Sequence, residues 1–326
     1  MESLLNNIFV IIFAGQFIIG ILGNGFIVLV NCIDWSRSRK FCIIDFILTC
    51  LASSRIFLLC IAVWAIRFIE SYEKILHKNS SMVSFDLIWT GVNYFCVSCT
   101  TCLSVFYFLK IANFSNPAFL WMKWRIHKVL LFLALAASFS LCVCLILKTI
   151  MFKSSAIVKT ESNLTWNVTV RTYSTLTCYL FINTMFNIPF VVSLISCFFL
   201  ILSLRNHTRR MKGIGSKDLS TEAHVSAMKS MISFLFLFVL YYLSNNLVAW
   251  NYTFLERVEA KIIVDMTGFF YLSGHPFLLI FWNSKLKQTS LYVLRNLKHC
   301  MNRKKPSIFI NLPKKSDNIV KNEDAE

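Results

Sequence analysis

The chain has 326 residues, 56% of them hydrophobic and only 15% charged, with 31 Phe but just 9 Gly and 5 Pro. That charge fraction is too low to coat a soluble domain of this size, and the apolar content excludes a disordered or collagen-like chain. The net charge is +17, and because the basic residues fall in the gaps between apolar runs, it points to a membrane surface rather than to nucleic acid.

A bilayer core needs about 20 apolar residues per helix, and the first run to supply them is 8–33. It follows no basic segment and leads to no small-residue cleavage site, so it reads as a retained span rather than a signal peptide. The run at 41–66 qualifies despite Asp45 and Arg55, and 85–109 follows with Asp86 near its outer edge. Next come 128–149 and 178–204, then 229–251, and finally 262–284, which holds Asp265. The fifth run is longer than one span requires, so its first residues are expected outside the bilayer. Residues 301–326 read as a flexible cytoplasmic tail whose clusters Arg303-Lys304-Lys305 and Lys314-Lys315 face lipid headgroups. No repeat is visible. The expectation is an all-α membrane protein, a seven-transmembrane helix bundle forming one domain over residues 1–300.

Charge sets the orientation. With the N-terminus extracellular and the C-terminus cytoplasmic, 23 of the 33 Lys and Arg lie in inner gaps and 9 in outer ones, as the positive-inside rule requires. Glycosylation sequons agree: Asn163 and Asn167 fall in the longest outer loop and Asn79 in the first. Asn251 sits close to the bilayer, and Asn113 and Asn206 would face the cytoplasm and stay bare.

The chemistry is sparse. No paired carboxylates, nucleophile elbow or HExxH motif occurs, so an enzyme is not expected. Cys96, Cys99 and Cys102 lack nearby His or carboxylate partners and read as small buried hydrophobes rather than zinc ligands; no metal or other cofactor is implied. Ionisable residues at membrane depth are too few to furnish a conducting path, which leaves a small transporter as the weaker alternative to a receptor.

The string Phe106-Tyr107-Phe108-Leu109-Lys110-Ile111-Ala112-Asn113, continuing to Pro117 and followed by Phe119-Leu120-Trp121-Met122-Lys123-Trp124-Arg125, resembles the bitter taste receptors, the type 2 taste receptor family of G-protein-coupled receptors. The resemblance recurs in Gly20 to Ile27, Leu51 to Arg55, Pro189-Phe190, Lys217 to His224, His275 to Ile280 and Asn283 to Lys287, covering roughly residues 8–300. Departures are Gln16 where Glu is common, Cys60 for Trp, Asn116 for His and Trp282 for Gly. The vomeronasal type 1 pheromone receptors are the nearest rival family.

The resemblance implies a plasma-membrane receptor that binds small bitter compounds in an outer-half cavity and activates a heterotrimeric G protein of the gustducin and transducin class. The expected ligand-binding residues are Trp89, Asn93, Tyr241, Asp265 and Phe269, with Asp265 a candidate counter-ion for amines. An intramembrane Arg55 must find polar partners, for which Asn24 and Ser273 are the natural candidates. With His275 and Pro276, where a proline kinks the seventh span, it forms an expected helix clasp or switch. Lys110, Lys123, Arg125, Arg209 and Lys212 are expected at the G-protein contact, although most inner basic charge is accounted for by topology and anionic lipid. Lys217–His224, with Ser220 or Thr221 as N-cap, is expected to begin the cytoplasmic extension of helix six.

Overall fold

The computed structural model describes residues 2–39, 42–72, 79–160, 165–213, 232–244, 246 and 258–303, and among them helices are the only regular elements. In chain order these are α1 (Glu2–Ser38), α2 (Ile43–Tyr72), α3 (Asn79–Ile111), α4 (Pro117–Trp124) and α5 (Ile126–Thr160). Then come α6 (Thr165–Gly213), α7 (Ile232–Ser244), α8 (Val258–Trp282) and α9 (Ser284–Arg303). Helix is the only open-ended structure that satisfies its own backbone in hydrocarbon, which is why charge-free apolar runs yield it here. Among the described residues five helices are long and apolar enough to cross a membrane: α1, α2, α3, α5 and α6. The described part of α7 is a shorter apolar helix. At 49 residues α6 is about 74 Å long, far more than a bilayer core, so its ends extend past the hydrocarbon. Lys217–His224, Asn163, the Asn251 sequon and the clusters at Lys304-Lys305 and Lys314-Lys315 lie outside the described residues.

The distribution of side chains is the reverse of a soluble protein's. Ile11, Leu22, Phe132, Phe139 and Phe198 point outward, whereas Asn24, Arg55, Asn93, Thr100, Thr101, Ser193 and His275 are buried. Such a surface is stable only against lipid tails, and a polar interior is what ties membrane helices together when apolar burial does not. The protein is a membrane-embedded helical bundle. Within it α3 packs against α2, α4, α5 and α6, while α1 packs on α2 and α8.

Local sequence explains the joints. Asn116 accepts a hydrogen bond from the Ala118 backbone N–H at 2.9 Å and Pro117 follows, so α4 begins with a side-chain N-cap and a preset φ. Phe119 then docks α4 onto Phe108 and Phe114, each at 5.3 Å between ring centroids. Asn283 does the same for α9, its Oδ1 accepting from the backbone N–H groups of Lys285 and Leu286. Thr101 on α3 donates to the Pro189 carbonyl of α6 at 2.9 Å and accepts from Ser193 at 3.0 Å, pinning those helices at mid-depth.

The α1–α8 seam depends on small residues. A Cβ placed on Gly20 would lie 3.4 Å from Ser273 of α8 and 2.6 Å from Leu59 Cδ1 of α2, and one on Gly23 would lie 3.0 Å from Pro276 Cβ and 3.2 Å from Phe277. Gly25 faces open space. Gly23→Val should therefore overpack the seam and cost about 1–3 kcal/mol, read as a lower midpoint in detergent thermal unfolding, while Gly25→Ala leaves that midpoint unchanged.

Candidate functional site

Two polar centres occupy the bundle. The deeper one is built on Arg55, fully buried on α2. Its Nη1 donates to His275 Nδ1 at 2.6 Å and its Nη2 to the Tyr271 phenol oxygen at 2.7 Å, both on α8. The guanidinium carbon also lies 4.7 Å from the Tyr271 ring centroid. Arginine can only donate, so His275 accepts at Nδ1 and carries its proton on Nε2. The phenol, having accepted from Arg55, donates its own O–H to Thr100 Oγ1 at 3.2 Å, and Thr100 donates onward to the Cys96 carbonyl at 2.9 Å. One directional chain of hydrogen bonds thus runs from α2 through α8 to α3. No carboxylate among the described residues pairs with Arg55.

The expected partners of Arg55, Asn24 and Ser273, are not the ones it takes. Ser273 returns its hydroxyl to the Phe269 carbonyl of its own helix. Asn24 instead donates to the Leu272 carbonyl at 3.1 Å and to Gly20 at 2.8 Å. The reason is Pro276: it has no N–H, so the carbonyl four residues earlier, that of Leu272, loses its helical donor. Asn24 supplies the missing donor from α1. Asn24 and the Leu272 carbonyl that Pro276 frees therefore form one interaction and Arg55 and His275 another, with Leu272 and His275 three residues apart on α8.

The second centre lies nearer the N-terminal end of α3. Tyr241 on α7 donates to Asn93 Oδ1 on α3 at 2.5 Å and stacks on Tyr271 at 4.6 Å between centroids. Tyr242 bonds Asn187 of α6 and stacks on Phe190 at 3.5 Å. Asn93 and Tyr241, both expected to contact ligand, are thus brought together and joined through Tyr271 to Arg55. Trp89 and Phe269 are turned elsewhere. Trp89 stacks toward Phe85, which in turn meets Trp64 of α2, and Phe269 packs edge-on against Phe13 of α1 at 4.9 Å. Asp265 lies in α8, two turns N-terminal to the Tyr271–Ser273 segment, and its backbone position alone is described. Two apolar surface grooves, one between α2 and α3 lined by Ser53, Gly91 and Phe95 and one between α7 and α8 lined by Phe236, Phe270 and Gly274, include none of these five residues.

The sequence reading missed two ion-paired clusters. Near the N-terminal end of α3 Lys148 of α5 meets Asp86 at 2.6 Å and Thr90 at 2.7 Å. Near the junction of α8 and α9 Lys285, the second residue of α9, meets Asp34 at 2.7 Å and Asp45 at 2.8 Å. Burial pulls the Lys285 pKa down, but the bonds and charges of Asp34 and Asp45 outweigh it and leave the ammonium above its ordinary value. It stays charged through the neutral range and ties α9 to α1 and α2. Each pair joins runs far apart in the chain, so no local signal marked it.

Of the residues expected at the G-protein contact, Lys110 and Arg209 are exposed near the ends of α3 and α6, and Lys212 follows within α6. Lys123 is engaged inside its loop, donating to the Ala112 carbonyl at 2.8 Å over the Phe119 ring. Arg125 stacks on Trp121 at 5.3 Å. Asn79 opens α3 and Asn167 lies in the first turn of α6.

Removing the phenol oxygen tests the deeper centre. Tyr271→Phe leaves an Arg55 donor unmatched and removes the hydrogen bond that Thr100 accepts, so we expect a loss of about 1–3 kcal/mol. In a double-mutant cycle Thr100→Val should show clear coupling to it, measured by thermal unfolding of the purified protein.

The family described as Taste receptor protein (TAS2R) matches residues 1–298. A Taste receptor type 2 member 7 from Papio hamadryas is 42% identical over 293 residues, 86% of this chain and 90% of its own. A Taste receptor type 2 member 8 from Pongo pygmaeus is 41% identical over 307 residues, 91% of this chain and 98% of its own. One from Gorilla gorilla gorilla, also member 8, is 42% identical over 303 residues, covering 90% and 97%. Matches of that extent, on a bundle with a polar interior and a lipid-facing surface, leave no place for the vomeronasal or transporter alternatives. The chain belongs to the type 2 taste receptor family, membrane-embedded G-protein-coupled receptors of bitter taste rather than enzymes.

Proposed function

We propose that this receptor sits in the plasma membrane with seven spans, its N-terminus extracellular and its C-terminus cytoplasmic. It binds small bitter compounds between α3, α7 and α8 in the outer half and activates a G protein of the gustducin and transducin class. The observation that carries this reading is the unbroken run of contacts Asn93–Tyr241–Tyr271–Arg55. A ligand that displaces or tightens the Asn93–Tyr241 bond acts on α7 and α8 together, and a ligand shifts an equilibrium only through such differential contacts. Trp89, Phe269 and Asp265 complete the ligand set by family position, and the Arg55, His275, Asn24 and Pro276 interactions are the two-state element. For the G-protein contact the reading keeps Lys110, Arg209 and Lys212; Lys123 already donates to the Ala112 carbonyl, and Arg125 stands on the exposed side of α4. Asn163, Asn167 and Asn79 are the glycosylation sites, and their Gln substitutions, followed by gel mobility, check the orientation.

The direct test is calcium release on exposure to bitter compounds in cells expressing the chain with a coupling G protein; no response to any of a broad panel, from a chain shown to reach the surface, would overturn the reading. Within the responders, Asp265→Asn should cost amine agonists about tenfold or more in potency, some 1.4 kcal/mol, while neutral agonists keep theirs. Equal losses for both kinds would make Asp265 a structural residue. Because Arg55 places a positive charge in the core, replacing sodium with an inert organic cation should leave agonist potency unchanged, as read from concentration–response curves.

A further inference from the structure

Helix α4 buries one face and leaves the other bare. Phe119 is buried, Met122 is half-buried and Lys123 is bonded to Ala112, so this side is fixed to α3. Leu120, Trp121 and Trp124 form the opposite side, and Trp124 is 84% exposed. Water is a poor neighbour for two indoles and a leucine on one turn. The bare side runs directly into the start of α5, where Leu131, Phe132, Leu135 and Phe139 make the outward stripe that faces lipid tails. Between the aromatic turn and that stripe stand Arg125, His127 and Lys128, all exposed. The arrangement is graded along the chain: aromatic rings, then cations, then hydrocarbon. Charge is graded too, since no Asp or Glu occurs from Leu87 to Thr160. Nothing in this stretch neutralises the cations, and Arg125 is held flat over the Trp121 ring with its outer edge free to meet a phosphate.

We propose that α4 is an interfacial helix whose Trp121 and Trp124 sit at the headgroup level of the inner leaflet, and that Arg125 and Lys128 bind the headgroup of an anionic phospholipid. Indoles favour that depth, and the inner leaflet carries the anionic lipid that exposed Lys and Arg attract. Continuity with the lipid-facing stripe of α5 and the absence of carboxylates favour lipid over a protein partner on this surface. The inference takes the inner-side placement of α4 from the proposed orientation, which the glycosylation map tests separately. Its consequence is that the second inner loop is positioned by the membrane from one side and by the Lys123–Ala112 bond from the other.

The test uses the full-length receptor in nanodiscs and tryptophan emission, with Trp124→Phe subtracted to isolate one indole and Trp121→Phe as an independent second probe. Lipids brominated near the headgroup end of the chain are supplied as phosphatidylserine or, in parallel, as phosphatidylcholine, at about 30 mol% of an otherwise unbrominated phosphatidylcholine bilayer. The Trp124 component should be quenched by both and at least about twofold more by the serine lipid, which gathers at the cations. The double variant Arg125→Gln with Lys128→Gln should lose that excess and keep the basal quenching. Equal quenching by the two lipids in the parent protein overturns the anionic site. Trp124 emission untouched by either lipid, quenched by aqueous iodide and protected only when a G-protein heterotrimer is added overturns the placement in the membrane and assigns this surface to the protein partner.

Discussion

A guanidinium sealed inside a lipid-embedded bundle constrains everything around it. Arg55 has no access to water and no carboxylate among the described residues to pair with, so its charge must be spread over neutral acceptors. Those acceptors must be aimed at it by helices packed closely enough to hold 2.6–2.7 Å bonds. The histidine and the phenol both come from α8, one turn apart, and the phenol is in turn held by α3 through Thr100. Moving α8 relative to α2 would strand the charge. The bundle therefore has a strong reason to keep this arrangement, and any second arrangement must offer the same charge a different set of partners.

Proline and glycine set how closely those helices meet. Pro276 removes one backbone donor from α8, and the Leu272 carbonyl it frees is matched by Asn24 from α1. Gly20 and Gly23 let α1 come near enough for that amide to reach, with Pro276 and Leu59 at contact distance from where their Cβ atoms would be. The same helix that loses a hydrogen bond to proline thus gains an interhelical one. Beyond the core, charged pairs hold the frame: Lys148 to Asp86 between α5 and α3, and Lys285 to Asp34 and Asp45 where α9 meets α1 and α2.

A continuous run of contacts joins the Asn93–Tyr241 pair to the Arg55 centre. Asn93 and Tyr241 belong to different helices, and the stack of Tyr241 on Tyr271 links them to that centre. Rings transmit position through van der Waals contact, and a hydrogen-bonded charge does not deform gradually, so the two together favour discrete alternatives over continuous change. Trp89 and Phe269 flank this path from the directions of α2 and α1.

The membrane class, the run of apolar spans and the anomaly of Arg55 were all legible in the sequence, because each follows from transfer free energy: apolar length makes a span, and a charge within one demands partners. The family strings made the class specific, and Asn24, His275 and Pro276 stood out in the sequence as polar or helix-breaking residues within apolar runs. What the sequence could not decide was who meets whom. Asn24 and Ser273 looked like the natural partners of Arg55 by depth and polarity, yet which side chains meet depends on the rotation of α8 about its axis, and that is set by packing against α1 and α7. Likewise Trp89 shares a helical face with Asn93, but neighbouring rings draw it toward α2. Lys123 looked like any inner-face cation until the loop folded back to place a carbonyl in its reach. Periodicity and hydropathy report how a segment meets solvent or lipid; partnership between segments is fixed only when helices hundreds of residues apart in sequence come within hydrogen-bond range, and that belongs to the tertiary structure.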